Sequence, residues 1–210
     1  MRSIMMTALA LACGGCEVIR QPAGMIAMPT ADWRRVVTSD DRTRLRDWRA
    51  TFTSALEAAR KSGHSGEIDR EGVLLAPDAG LGGAEMPAGS YRCRVIKLGA
   101  RSPGNLDYVS YPDFLCRVRP DQGLQRLSKL SGSQRYVGLM FPQDPVRKVF
   151  LGTLVLGDER RALQYGQDET RDIAGYVERI GPQRWRLIMP RPHFESQLDV
   201  MDLVPQSQSR

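Results

Sequence analysis

The chain has 210 residues, 41% of them apolar and 26% charged, a composition that supports a folded domain and excludes disorder throughout. No stretch reaches the roughly 18 continuous apolar residues that a membrane-spanning helix needs, so none is predicted. The net charge of +6 comes from 30 basic and 24 acidic groups, scattered without the clustered block or interleaved aromatics of a nucleic-acid groove, so nucleic acid is not an expected partner.

Residues 1–16 are expected to be a leader. Arg2 precedes the apolar run from Ile4 to Ala12 and the segment Cys13-Gly14-Gly15-Cys16, the order of charge, apolar run and small residues found in secretory signal peptides. A small residue followed by Cys at the end of such a run resembles the lipobox of bacterial lipoproteins, whose Cys is acylated and becomes the first residue of the mature chain. Cys13 is the expected lipidation site and Cys16, preceded by Gly15, is the alternative; plain signal-peptidase cleavage is the competing route. Each buried acyl CH2 contributes about 0.8 kcal/mol, so two or more chains would anchor the protein to a membrane. The expected location is the periplasmic face of a bacterial membrane, lipid-anchored or soluble. Residues 17–30, with two Pro and no period, read as a tether.

Residues 31–205 read as one domain, with 206–210 as a tail. After a short turn at Ala31-Asp32-Trp33, a helix is predicted from the N-cap Ser39, with Asp40 and Asp41 favoured by the helix dipole, to just before Gly63. Leu45, Trp48, Phe52, Leu56 and Ala59 form one apolar stripe, expected to pack on the body of the domain, with lipid as the other possible surface. Gly66 to Pro87 reads as a connection with one helical turn near Val73-Leu74-Leu75.

Strands are predicted at Tyr91–Leu98, Leu106–Val118, Leu124–Leu130, Tyr136–Phe141, Val146–Leu156, Ile173–Ile180, Trp185–Met189 and Leu198–Val204, separated mostly by Gly, Pro, Asp or Asn. The clearest hairpin joins Tyr176–Ile180 to Trp185–Met189 through Gly181-Pro182-Gln183-Arg184. Val146–Leu156, apolar on both faces except for Arg147, Lys148 and Thr153, reads as a central strand covered by the helix. The predicted fold is mainly β with an N-terminal helix (α+β): an antiparallel eight-stranded meander, closed or nearly closed into a barrel, packed by one amphipathic helix.

With Cys13 and Cys16 in the leader, Cys93 and Cys116 remain as an even pair, as suits an exported chain. Strand parity puts Tyr91, Cys93 and Val95 on one face, with Arg92 and Arg94 opposite, and repeats this for Phe114, Cys116 and Val118 against Arg117 and Arg119. A disulfide between the two is expected, two buried free thiols being the alternative. If the Arg face is the lumen, Arg92, Arg94, Arg117, Arg119 and Arg186 would line a pocket for a carboxylate or phosphate; if it is solvent, they are a charged exterior. Parity does not choose between these, although the opposing Cys residues favour an apolar lumen.

Recognisable catalytic signatures are sparse. His64 and His193 each lack a partner at metal-ligand spacing, so no metal site is predicted. Ser131-Gly132-Ser133-Gln134-Arg135 lacks a nucleophile-elbow context and reads as a bend or bulge in a strand. No cofactor fingerprint is present. The main polar concentration runs from Asp158, Glu159, Arg160 and Arg161 to Asp168, Glu169, Arg171 and Asp172. Its spacing is not that of a calcium loop, and mutual ion pairing is the favoured use. A second cluster comprises Glu178, Arg179, Arg184, Arg186, Glu195 and Asp199.

Several strings carry a family likeness when taken as a set. They are Tyr91-Arg92-Cys93-Arg94, Gly132-Ser133-Gln134-Arg135, Phe150-Leu151-Gly152-Thr153, Leu156-Gly157-Asp158-Glu159, Glu178-Arg179-Ile180-Gly181, Arg184-Trp185-Arg186-Leu187 and Phe194-Glu195-Ser196. Over roughly residues 31 to 205 the chain resembles the exported bacterial proteins grouped as domain of unknown function 4893. That resemblance implies a secreted, often lipobox-bearing protein and transfers no catalytic or ligand residue. The expected function is that of an exported, lipid-anchored envelope protein acting as a binding or interaction module, its partner an envelope protein or a small anionic ligand, with no cofactor. The alternative is an envelope hydrolase using the carboxylates of the 158–172 loop, with Asp158, Glu159 or Asp172 as general base. Candidate ligand or ion-pair residues are Asp158, Glu159, Arg171, Asp172 and Arg186.

Overall fold

A computed structural model of the chain describes residues 31–206. The leader with Cys13 and Cys16, the tether 17–30 and the tail beyond residue 206 lie outside the described residues. Nine strands follow three helices: α1 (Ser39–Arg46), α2 (Trp48–Lys61), α3 (Ser65–Glu71), then β1 (Gly89–Ala100), β2 (Tyr108–Ser110), β3 (Phe114–Asp121), β4 (Leu124–Lys129), β5 (Gln134–Pro142), β6 (Arg147–Leu156), β7 (Asp172–Gly181), β8 (Arg184–Pro190) and β9 (Ser196–Pro205). Each strand of the meander is antiparallel to its neighbour, and β1 pairs with β9 to close the barrel. β2 and β3 share one side of β1, on Ile96–Leu98 and Gly89–Cys93 respectively. The expected strand Leu106–Val118 is therefore one barrel stave in two pieces, interrupted at Tyr111-Pro112-Asp113, where Pro112 has no N–H for the ladder.

The helix predicted to start at Ser39 is capped one residue earlier, by the Thr38 hydroxyl accepting the Asp41 N–H at 3.3 Å. It is divided at Asp47, which leaves both Leu45 and Trp48 buried against the curved wall. The expected Gly66–Pro87 connection is occupied at its start by α3, which begins at Ser65, and then by a 3-10 turn over Gly72–Leu75, more than the one turn expected.

Strand alternation sorts the apolar side chains into two layers. Tyr91, Cys93, Val95, Val118, Leu127, Met140, Phe150, Val177, Trp185, Leu187 and Met201 fill the lumen. Ile96, Leu98, Val149, Tyr176, Ile188 and Val200 face outward and bury Leu45, Trp48, Phe52, Ala55 and Ala59 of the helices. The lumen is thus an apolar core, narrow enough that paired Gly138 and Gly152 make room for the Phe150 ring: a Cβ on either would lie within 2.7 Å of it. Cys93 and Cys116 meet inside this core at disulfide-bonding distance, their Cα atoms 5.9 Å apart. The opposing Arg92, Arg117 and Arg119 are exposed and Arg94 is half-buried on the outer surface, so the face that parity left undecided is the exterior.

Candidate functional site

The inward columns stay apolar along most of the barrel and turn polar at one mouth. Along β1 the inward series Tyr91, Cys93, Val95 ends in Lys97; on β4, Leu127 is followed by Lys129; on β9, Leu203 and Met201 give way to Asp199; and Tyr136 of β5 joins them. Lys97, Lys129, Tyr136 and Asp199 are each at most 4% exposed. Burying charged groups is costly unless they are paired or hydrogen-bonded, so their partners define what the mouth can do.

Asp199 is saturated. Its Oδ2 accepts from the Lys97 ammonium at 3.0 Å and the Tyr136 hydroxyl at 3.0 Å, and its Oδ1 accepts from the Ser196 hydroxyl. Lys97 also meets Glu195 Oε2 at 3.3 Å. Burial alone would depress the Lys97 ammonium, but Asp199 and Glu195 outweigh it and hold the group above its ordinary value. Burial, reinforced by Asp199, keeps the Tyr136 hydroxyl protonated well beyond the usual phenol range.

Lys129 is different. Its ammonium donates to the carbonyls of Ser131 and Gln134, both at 2.8 Å, and lies 3.5 Å from the Phe114 ring centroid. No carboxylate forms an ion pair with it among the described residues, and burial, together with Arg135 and Lys97 nearby, pushes it down to about 8. A hollow of about 100 Å³ is lined by Lys97, Lys129, Tyr136, Glu195, Tyr111, Phe114, Val95, Ser133 and Gln134, so two ammonium groups converge on one space with an aromatic wall. A second hollow, of about 220 Å³, shares Lys97, Tyr111 and Glu195 with the first. Ser133 sits in the β4–β5 turn, outside any strand, rather than at a bend within one.

The residues singled out from sequence lie elsewhere. Asp158 is exposed; Glu159 is paired with Arg171 at 2.9 Å, and that hydrogen bond holds its carboxyl below the ordinary range. Asp172 is buried, accepts the Gly166 N–H at 3.0 Å, and is raised above its ordinary value by burial. Arg186, fully buried between barrel wall and helices, is bound to Glu178 at 2.6 Å and to the carbonyls of Val73, Leu74, Ala76 and Pro77. Glu159 and Arg171 thus meet, whereas Asp172 and Arg186 stand apart, and none of these lines the hollows at the mouth. Of the second cluster, Asp199 and Glu195 reach the mouth, Arg184 pairs with Asp202 at 2.8 Å, and Glu178 belongs to Arg186. Among the described residues, no group of three or more His, Cys, Asp or Glu could hold a metal ion.

Residues 33–203 match the family model described as Domain of unknown function (DUF4893). The chain belongs to this family. No curated protein and no solved structure matches it. The match runs from Trp33, before α1, to Leu203 in β9, so the domain it covers contains both the helical layer and the whole mouth.

Proposed function

We propose that this protein is an exported, lipid-anchored envelope protein whose barrel mouth binds a small anionic ligand. The observation that carries the ligand reading is Lys129, a buried ammonium with no carboxylate ion-pair partner among the described residues, beside a hollow that also receives Lys97. An anion entering there supplies the missing counter-charge in a place where water screens poorly, and Tyr111, Phe114 and Val95 offer an apolar wall to its carbon skeleton. Titrating propionate into the purified protein should perturb the NMR signals of Lys97, Lys129, Tyr136 and their neighbours saturably, and K129M should abolish the effect. Perturbations spread evenly over the surface, or unchanged in K129M, would refute the site.

Export is supported by the leader pattern of residues 1–16 and by a cysteine pair at bonding distance, which persists in oxidising compartments. Mass spectrometry of the mature chain should find an acylated N-terminus at Cys13, or at Cys16 in the alternative; a free initiator Met1 would contradict the anchor. The hydrolase reading would take its general base from the 158–172 loop, where Asp172 is raised by its burial and Asp158 is exposed. It predicts turnover of an envelope substrate that D158N or D172N removes while a cooperative melt shows that the variant still folds.

A further inference from the structure

The two ammonium groups at the mouth face two carboxylates, but those carboxylates are held very differently. Asp199 accepts three side-chain donors and is 1% exposed. Glu195 reaches the same Lys97 from the rim with its side chain 47% exposed, while the lysine side chain is 5% exposed. The Glu195 carboxylate is half in water already, and Lys97 keeps its ion pair with Asp199 at 3.0 Å when Glu195 turns away, so the side chain can leave without stranding the ammonium. Its backbone cannot follow. Glu195 has φ +68, and its carbonyl accepts the Arg101 N–H at 3.0 Å and the Asn105 side-chain amide at 2.9 Å. Only the side chain is free to swing.

The position of Glu195 matters because it lines both hollows, together with Lys97 and Tyr111. Moving its carboxylate out uncovers Lys97 from both sides. Lys97, Lys129, Asp199 and Glu195 carry balanced charge when all are ionised, so removing Glu195 leaves one uncompensated positive charge. We infer that the Glu195 carboxylate occupies the place of the ligand's own anionic group, and that the mouth selects a small organic monocarboxylate that displaces it from Lys97. This inference rests on the binding reading proposed above and adds the ligand class and the specificity-determining residue. One negative charge restores neutrality, whereas a phosphate dianion would overshoot it beside buried Asp199. Tyr111, Phe114 and Val95 then favour an alkyl or aryl body over a fully polar one.

The test measures dissociation constants for propionate and for inorganic phosphate by calorimetry on wild type, E195A, E195Q and E85Q, with the chain folded as judged by its melting temperature. E85Q removes a carboxylate that pairs with Lys148, away from these hollows, and so controls for net charge. The expected result is propionate binding at least ten-fold tighter in E195A and E195Q than in wild type, with less than two-fold change in E85Q and a preference for propionate over phosphate. E195Q keeps the side-chain volume and carries the test by itself if E195A does not fold. If wild type and both Glu195 variants bind propionate equally and K129M does not, the site stands and the role of Glu195 is wrong. Equal tightening in E85Q also overturns it. If neither wild type nor the Glu195 variants bind, the binding reading itself falls, and this inference with it.

Discussion

Lys129 is a position where the burial of a charge works against stability. Its ammonium is pushed down to about 8, while in an unfolded chain it would titrate near 10.5. Between these values the unfolded state binds more protons than the folded one, so folding stability rises with pH through this window. Below about pH 8 the buried charge destabilises the fold by roughly 3 kcal/mol, and that cost fades as the pH climbs. Above about pH 10 the buried tyrosines oppose the trend, because Tyr136 and Tyr91 stay protonated in the fold and ionise on unfolding. Denaturant melts at pH 7, 8, 9 and 10 should therefore show stability increasing over the middle of the range. K129M should flatten that rise while remaining within about 2 kcal/mol of wild type at pH 7, since it removes a charge but orphans two carbonyls. Gly132, beside Lys129, has φ +86, and a Cβ there would lie 2.7 Å from both the Lys129 amine and the Phe114 ring. G132A should cost about 1–3 kcal/mol in a chemical melt and weaken propionate binding along with it.

At the scale of elements, the attachment of the helical layer to the barrel turns on Arg186. The segment after α3 ends in a 3-10 turn over Gly72–Leu75, closed by the Ala76 N–H on the Val73 carbonyl at 3.4 Å, and the chain that follows joins no sheet ladder that would take up its carbonyls. The Arg186 guanidinium collects them, donating to Val73, Leu74, Ala76 and Pro77 from β8, while Glu178 of β7 balances its charge and is itself shared with Arg147 at 2.6 Å. A planar fork of five donors meets this arrangement, and the single ammonium of Lys would not. Truncating one partner leaves the other charge buried alone, so R186M should destabilise by about 3–5 kcal/mol in denaturant melts. The double change R186M with E178M should cost clearly less than the sum of the two singles, because neither charge is then stranded. Sequence inspection marked Arg186 as a polar residue of interest, but parity places it only on the face opposite Trp185 and Leu187. That this outward face is covered by a helical connection from more than a hundred residues earlier is invisible in the local pattern.

For the molecule as a whole, closure and the disulfide act on the same core. The Cys93–Cys116 bond spans 23 residues and cross-links β1 to β3 inside the lumen, which by chain entropy stabilises the fold by about 3 kcal/mol. The C93A/C116A double variant should melt lower by roughly that amount, and wild type in strong reductant should approach it; equal stability of all three would show that the bond adds nothing to the fold. Much of this architecture was legible beforehand. Alternating apolar residues, turn residues at short intervals and an amphipathic stripe predicted a meander of eight strands with a helix on it, because period-2 and period-3.6 burial leave direct marks in sequence. The same parity, extended two residues beyond Val95, Leu127 and Met201, would have pointed at Lys97, Lys129 and Asp199 as the polar end of the inward columns. What parity alone does not supply is a sense of inside and outside, the register at which β1 meets β9, or which column ends share a mouth. Local spacing by itself determined the strands, the apolar face that carries both cysteines and the amphipathic stripe. Only closure of the sheet decided that the arginine face is exterior, that Arg186 is an internal clasp, and that Lys97 and Lys129, 32 residues apart in the chain, share one hollow, because those relations depend on contacts between distant segments and not on neighbours along the chain.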